Sequence, residues 1–82
     1  MNTRELSKAL HHLGVARRAV SIEGVDAKEE QYRLETDGRY WVTYYYERGN
    51  KVGYREFLTE GEACEHFLEV LRNDPTTRVN RT

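Results

Sequence analysis

The stretch Arg39-Tyr40-Trp41-Val42-Thr43-Tyr44-Tyr45-Tyr46-Glu47-Arg48-Gly49 decides how this chain folds. It packs the single Trp and four of the six Tyr into seven residues, then breaks at a charged turn ending in Gly. Aromatic and β-branched residues at this density fit a pleated, half-buried surface, so 39–47 is expected to be a strand. Its two faces are unequal. Trp41, Thr43 and Tyr45 point one way, while Tyr40, Val42, Tyr44 and Tyr46 point the other. A slip of one residue would exchange them, so the sequence alone does not fix which face is buried. The size of Trp41 favours placing it and Tyr45 under the helices, with Tyr44 and Tyr46 on the open face.

Moving toward the N-terminus, Asp37-Gly38 precedes the aromatic run and Gln31-Tyr32-Arg33-Leu34-Glu35 alternates in polarity. Asp-Gly between two β-rich segments is a strong hairpin signal, because both central residues of a type I′ turn need positive φ. The two strands should therefore pair antiparallel. Asp26–Glu30 is polar and reads as a loop, and Ala19–Glu23 as a short edge strand ended by Gly24. Before these, Asn2 and Glu5 form a capping box. Leu6, Ala9, Leu10 and Leu13 then follow at helical spacing, and Gly14 suits the left-handed residue after the helix.

Toward the C-terminus, Arg48-Gly49-Asn50 is a second turn and Lys51–Phe57 a returning strand, in which Gly53 marks a bulge or a close backbone approach. Thr59 and Glu62 open a last helix with the buried stripe Ala63, Cys64, Phe67, Leu68 and Leu71. Asn73-Asp74-Pro75 ends it. The expected fold is α+β, in the order α-β-β-β-β-α. A small antiparallel sheet of three to four strands carries both helices on one face. Residues 1–73 make a single domain and 74–82 a flexible tail.

Composition limits the functional classes. Eighty-two residues with 33% charged and 38% hydrophobic side chains suffice for one thin-cored domain. Thirteen basic and fourteen acidic residues leave a net charge of −1, so no global field favours nucleic acid or an anionic membrane. The acids are concentrated, however: residues 56–74 hold six of them against Arg72 alone. The single Cys64 forms no internal disulfide and no Cys-based zinc cluster. No signal-peptide pattern, lipidation motif or apolar run of spanning length is present, and the default expectation is the cytoplasm.

The search for catalytic chemistry finds no set. His11 and His12 are adjacent on a helix and point about 100° apart, so they cannot share a metal as i, i+4 ligands do. His66 lies beside Glu65 and Glu69 as an ordinary surface group. Cys64 falls in an apolar stripe with nothing placed to make a thiolate. The six glycines are spread one to a turn and build no phosphate loop. An enzyme is therefore not expected, nor a cofactor or metal. Sheet aromatics flanked by Arg39, Arg48, Lys51 and Arg55 are also how single-stranded nucleic-acid platforms are made. The near-neutral charge and the acidic last helix disfavour that alternative. Tyr, Trp and Arg are the residues of protein-interface hot spots, and Tyr44, Tyr46, Glu47 and Arg48 would present such a cluster.

The segments Trp41–Gly49, Phe57 and Glu62–Leu68 together resemble a family of small bacterial proteins. Members carry a W-x-V-x-Y-S-E-R-G strand and turn and a Phe before the last helix. They also carry an E-x-A-C motif opening that helix, where this chain reads Glu62-Ala63-Cys64. Leu10-His11-His12-Leu13-Gly14-Val15 also fits the family's helix-then-Gly opening. The resemblance spans roughly residues 4–72. This chain has Thr43 where members usually have Val, and Tyr46 where they have Ser. It has Gly24–Glu30 where members tend to carry a Gly-x-Pro-x-Glu segment. The family is associated with polymorphic-toxin loci, where its members look like immunity proteins. The resemblance therefore implies that the chain binds and neutralises a cognate toxin domain by stoichiometric occlusion, with no cofactor. Tyr44, Tyr46, Glu47 and Arg48 are the expected core of the interface, with Lys51, Glu29 and Glu30 at its rim. Glu62, Glu65 and Glu69 are an alternative acidic surface for a basic partner. Whether the protein is a monomer or a dimer stays open.

Overall fold

Capping decides where the two helices begin. The computed structural model describes residues 1–79. α1 (Thr3–Leu13) starts on a reciprocal box: Asn2 Oδ1 accepts from the Glu5 N–H at 2.8 Å, and Glu5 Oε1 from the Asn2 N–H at 3.0 Å. Gly14 closes the helix at φ 82°, a left-handed conformation that Gly adopts without cost. α2 (Glu60–Arg72) starts on Thr59, whose hydroxyl accepts from the Glu62 N–H at 3.2 Å and donates to its carboxylate at 2.9 Å.

Between the helices lie β1 (Val20–Ile22), β2 (Gln31–Thr36), β3 (Trp41–Glu47) and β4 (Asn50–Phe57), in one sheet of that order. β2, β3 and β4 form the expected antiparallel meander. β1, however, runs parallel to β2, with Val20 opposite Tyr32 and Ile22 opposite Leu34. The sheet is thus mixed and not wholly antiparallel. The physical reason is the connection: residues 23–30 make no hairpin but fold back onto β2. There Gln31 Nε2 donates to Asp26 O at 3.0 Å and Arg33 Nη2 to Lys28 O at 2.7 Å. Glu23, Asp26 and Glu30 all take positive φ to make that path.

Side-chain period then sorts the faces. Leu34, Thr43 and Trp41 point to the helix side, where Leu34 joins Leu6, Leu10, Phe67, Leu68 and Leu71 in one core. All five stripe residues of α2 are buried. Trp41 packs against this core as expected. Tyr45 shares its face and meets the Tyr32 ring edge-on at 4.8 Å.

The first turn differs from expectation. Thr36 pairs with Trp41, so the first hairpin has a four-residue loop in which only Gly38 takes positive φ, and β3 begins at Trp41 rather than at 39. Asp37 Oδ1 accepts from the N–H groups of Arg39 (2.8 Å) and Tyr40 (2.9 Å), and these bonds pull its carboxyl below the usual range. The two-residue turn with both φ positive is instead Arg48-Gly49, at 49° and 78°. As the glycine suggested, β4 bulges at Gly53, which takes φ 67°.

The segment expected to be a flexible tail from 74 is anchored as far as it is described. Residues Pro75–Thr77 form a 3₁₀ turn, Thr77 is buried, and Arg78 bridges to Val15. The Arg78 guanidinium donates to Leu71 O at 2.8 Å and to Arg72 O at 3.1 Å, satisfying carbonyls that the end of α2 leaves open. The rest of that expected tail, 80–82, lies outside the described residues.

Candidate partner-binding surface

Among the described residues, helices cover one face of the sheet only. On the other, the register sets Arg33 opposite Tyr44 and Gln31 opposite Tyr46, while Tyr46 also faces Lys51 on β4. Cations and rings interleave there. Arg33 Cζ lies 4.0 Å from the centre of the Tyr46 ring, and Lys51 Nζ lies 5.0 Å from that of Tyr44 and 5.7 Å from that of Tyr54. Tyr44 and Tyr54 stack with centroids 6.1 Å apart. At these separations each cation is drawn to the ring's negative face.

The two candidate tyrosines of β3 have different roles. Tyr46 is half-buried and offers its ring beside Arg33. Tyr44 points to the open face as expected, yet it is only 4% exposed. Its hydroxyl donates to Glu35 at 2.8 Å. Burial and that carboxylate both push its phenol up. Tyr44 is therefore the floor of the patch rather than a projecting anchor. Glu56 plays a similar part at Tyr54, accepting from its hydroxyl at 3.3 Å.

At the hairpin end, Glu47 pairs with Asn50, and Arg48 occupies the left-handed region that side chains other than Gly rarely adopt. Its backbone N–H donates to Glu29 Oε2 at 3.0 Å. Glu29 and Arg48, both read from sequence as interface residues, are thus in contact within the chain. Glu47, Arg48 and Lys51 are exposed and sit together at this end with Tyr46. Glu30 is exposed beside them and lines a groove of about 520 Å³ with Arg18, Tyr32, Tyr45 and Asp74. In that groove Tyr32 donates to Asp74 Oδ2 at 2.7 Å. Burial and then Asp74 push the Tyr32 phenol up to about 12.

Glu62, Glu65 and Glu69 are exposed on α2, across the sheet from this patch. Two of the three carboxylates already have local partners: Glu62 accepts from Thr59, and Glu69 from Arg72 at 3.3 Å and from Asn73. Among the described residues no three His, Cys, Asp or Glu side chains converge on a metal-sized site. The Cys64 thiol is fully buried, and burial pushes it up to about 11. No helix among the described residues is long and apolar enough to cross a membrane.

Sequence reasoning missed Gln31, Arg33, Glu35 and Tyr54. Gln31 is fully buried: its amide donates to Arg18 O, Val20 O and Asp26 O and accepts from the Lys28 N–H. Alternation along β2 put Gln31, Arg33 and Glu35 on the side away from Leu34, but the strand alone gave no sign of what would cover them. Comparison of the chain with protein-family models, curated proteins and solved structures finds no match to any of them.

Proposed function

We propose that this domain is a stoichiometric protein-binding inhibitor that neutralises a bacterial toxin domain by covering its working site. One observation carries the reading: the sheet face left bare by the helices bears an interleaved Tyr-Arg-Lys patch continuous with the Glu47-Arg48 turn. Interfaces draw most of their energy from Tyr, Trp and Arg held rigid on a scaffold. Here the patch is pre-organised, because Glu35 fixes Tyr44 and Glu29 fixes the turn. Less ordering entropy is then lost on binding. The kind of partner rests only on the motif resemblance of Trp41–Gly49, Phe57 and Glu62–Leu68 to a family whose members look like immunity proteins.

A nucleic-acid platform is the weaker reading. Glu35 and Glu56 place carboxylates beside the two stacked tyrosines, where a phosphate backbone would have to run. The test of the proposal is co-purification with the product of the neighbouring upstream gene, with rescue of its toxicity. A tight complex and rescue support it. A metabolic enzyme upstream that is neither toxic nor bound overturns it.

A further inference from the structure

β1 has little free edge to offer. The Val20 N–H donates to Arg17 O, its carbonyl accepts from Gln31 Nε2 at 3.4 Å, and Ile22 O accepts from the Val25 N–H at 3.2 Å. β4 differs. Among the described residues no strand lies beyond it, and it is exposed along seven of its eight residues. With the following Leu58 it holds large apolar side chains in water: Val52 is 49% exposed, Tyr54 46% and Leu58 76%. An open edge of this length is a template for another strand.

The bulge decides which strand fits. β4 spends one extra residue between Val52 and Arg55, at Gly53-Tyr54. Lys51, Tyr54 and Glu56 therefore share the open face with Tyr46, Tyr44 and Val42, and Val52, Arg55 and Phe57 share the helix face with Tyr45, Thr43 and Trp41. A regular strand laid along β4 would match one half and be out of phase with the other, since opposed residues must point to the same face. A second β4 carries the same extra residue. Related by a two-fold axis between Gly53 and Tyr54, the two copies oppose Lys51 to Glu56, Val52 to Arg55 and Asn50 to Phe57, each twice and always on a common face. The Lys51–Glu56 pairing is of opposite charge at both symmetric positions, and the aliphatic stem of Arg55 covers the exposed Val52. Moving the axis onto Gly53 or onto Tyr54 sets open-face side chains against helix-face ones and loses both ion pairs.

We propose that the protein forms a two-fold homodimer through antiparallel pairing of β4 with β4, joining two sheets into one of eight strands. The contact is self-complementary and closes on itself, and the occupied edge of β1 stops growth at two copies. The open faces of the two copies then run side by side.

Sedimentation equilibrium over micromolar to millimolar concentrations tests this on the full chain. A species of twice the 9.7 kDa chain mass is expected. Lys51→Glu and Glu56→Lys each set like charges opposite one another twice and should weaken association about tenfold or more. Combining them restores opposite charges and should restore the dimer. Both positions are exposed, and thermal melts confirm that each variant folds. A wild-type monomer throughout the range overturns the proposal. So does a dimer that survives either single change, or a double exchange that fails to restore it.

Discussion

Glu29 holds the hairpin tip from outside the hairpin: its carboxylate accepts the backbone N–H of Arg48 at 3.0 Å across 19 residues of chain. The bond ties the loop that returns to β2 to the β3–β4 turn. An exposed bond from a charged acceptor is worth about 1 kcal/mol. Glu29→Gln should therefore lower stability by about that much or less, and the clearest sign is local. Amide exchange at Arg48 should quicken while exchange at Leu34, deep in the core, stays slow. Unchanged exchange at Arg48 would show that the contact does not hold the tip.

Arg48 sits at φ 49°, where Gly is the natural occupant of such a turn. An L-residue in the left-handed region costs about 1 kcal/mol. Arg48→Gly should thus raise the melting temperature while weakening partner binding. Strain retained at a position that a purely structural role would relieve is what a binding residue shows. A variant that is both more stable and fully active would place Arg48 outside the interface.

Gln31 makes the opposite case. Its amide is fully buried and serves three carbonyls and the Lys28 N–H. Gln31→Leu leaves those groups unpaired and should cost about 2–4 kcal/mol in a denaturant melt. Because residues 26–30 hang on that amide, Glu29 should also lose its hold on Arg48. A neutral substitution would mean that water replaces the amide at no cost.

The Tyr32–Asp74 bond sets the pH limits of the C-terminal anchor. Hydrogen bonds from Thr76 and Tyr32 hold the Asp74 carboxyl below its ordinary range, so its stabilisation is present above that range and is lost as pH falls through the lowered value. The Tyr32 phenol, raised from 10.0 to about 12, stabilises fully below pH 10.0 and loses that effect as pH climbs toward about 12. Tyr32→Phe should cost about 1–2 kcal/mol at neutral pH and flatten the alkaline decline. Stability–pH curves that superimpose would contradict the assignment.

Much of the scaffold was legible because it rests on local chemistry. The Asn2–Glu5 box, the Thr59 cap, the buried stripe of α2 and the bulge at Gly53 all act within a few residues of their cause. The strand alone does not fix which face of β3 is buried, but the side favoured for Trp41 and Tyr45 from the size of Trp41 is the helix side. A two-residue turn at Asp37-Gly38 would have paired Thr36 with Arg39, whereas the observed loop pairs it with Trp41. That displacement of two residues leaves inward and outward positions unchanged while altering every cross-strand neighbour. This is why Trp41 and Tyr45 fell on the expected side, but Arg33 over Tyr46 was not foreseen. The parallel β1, the buried Gln31 and the clamp of Arg78 on α2 all depend on contacts distant in sequence, which periodicity does not encode.

The central claim is that Tyr46 and Arg48 form the contact with a toxin domain. Titration calorimetry of the purified upstream gene product into the wild-type domain and into the Tyr46→Ala, Arg48→Glu variant tests it most directly. The account predicts one toxin domain bound per chain, an affinity loss of at least about a hundredfold in the variant, and cooperative melting in both proteins. Equal affinity for the two would contradict the claim.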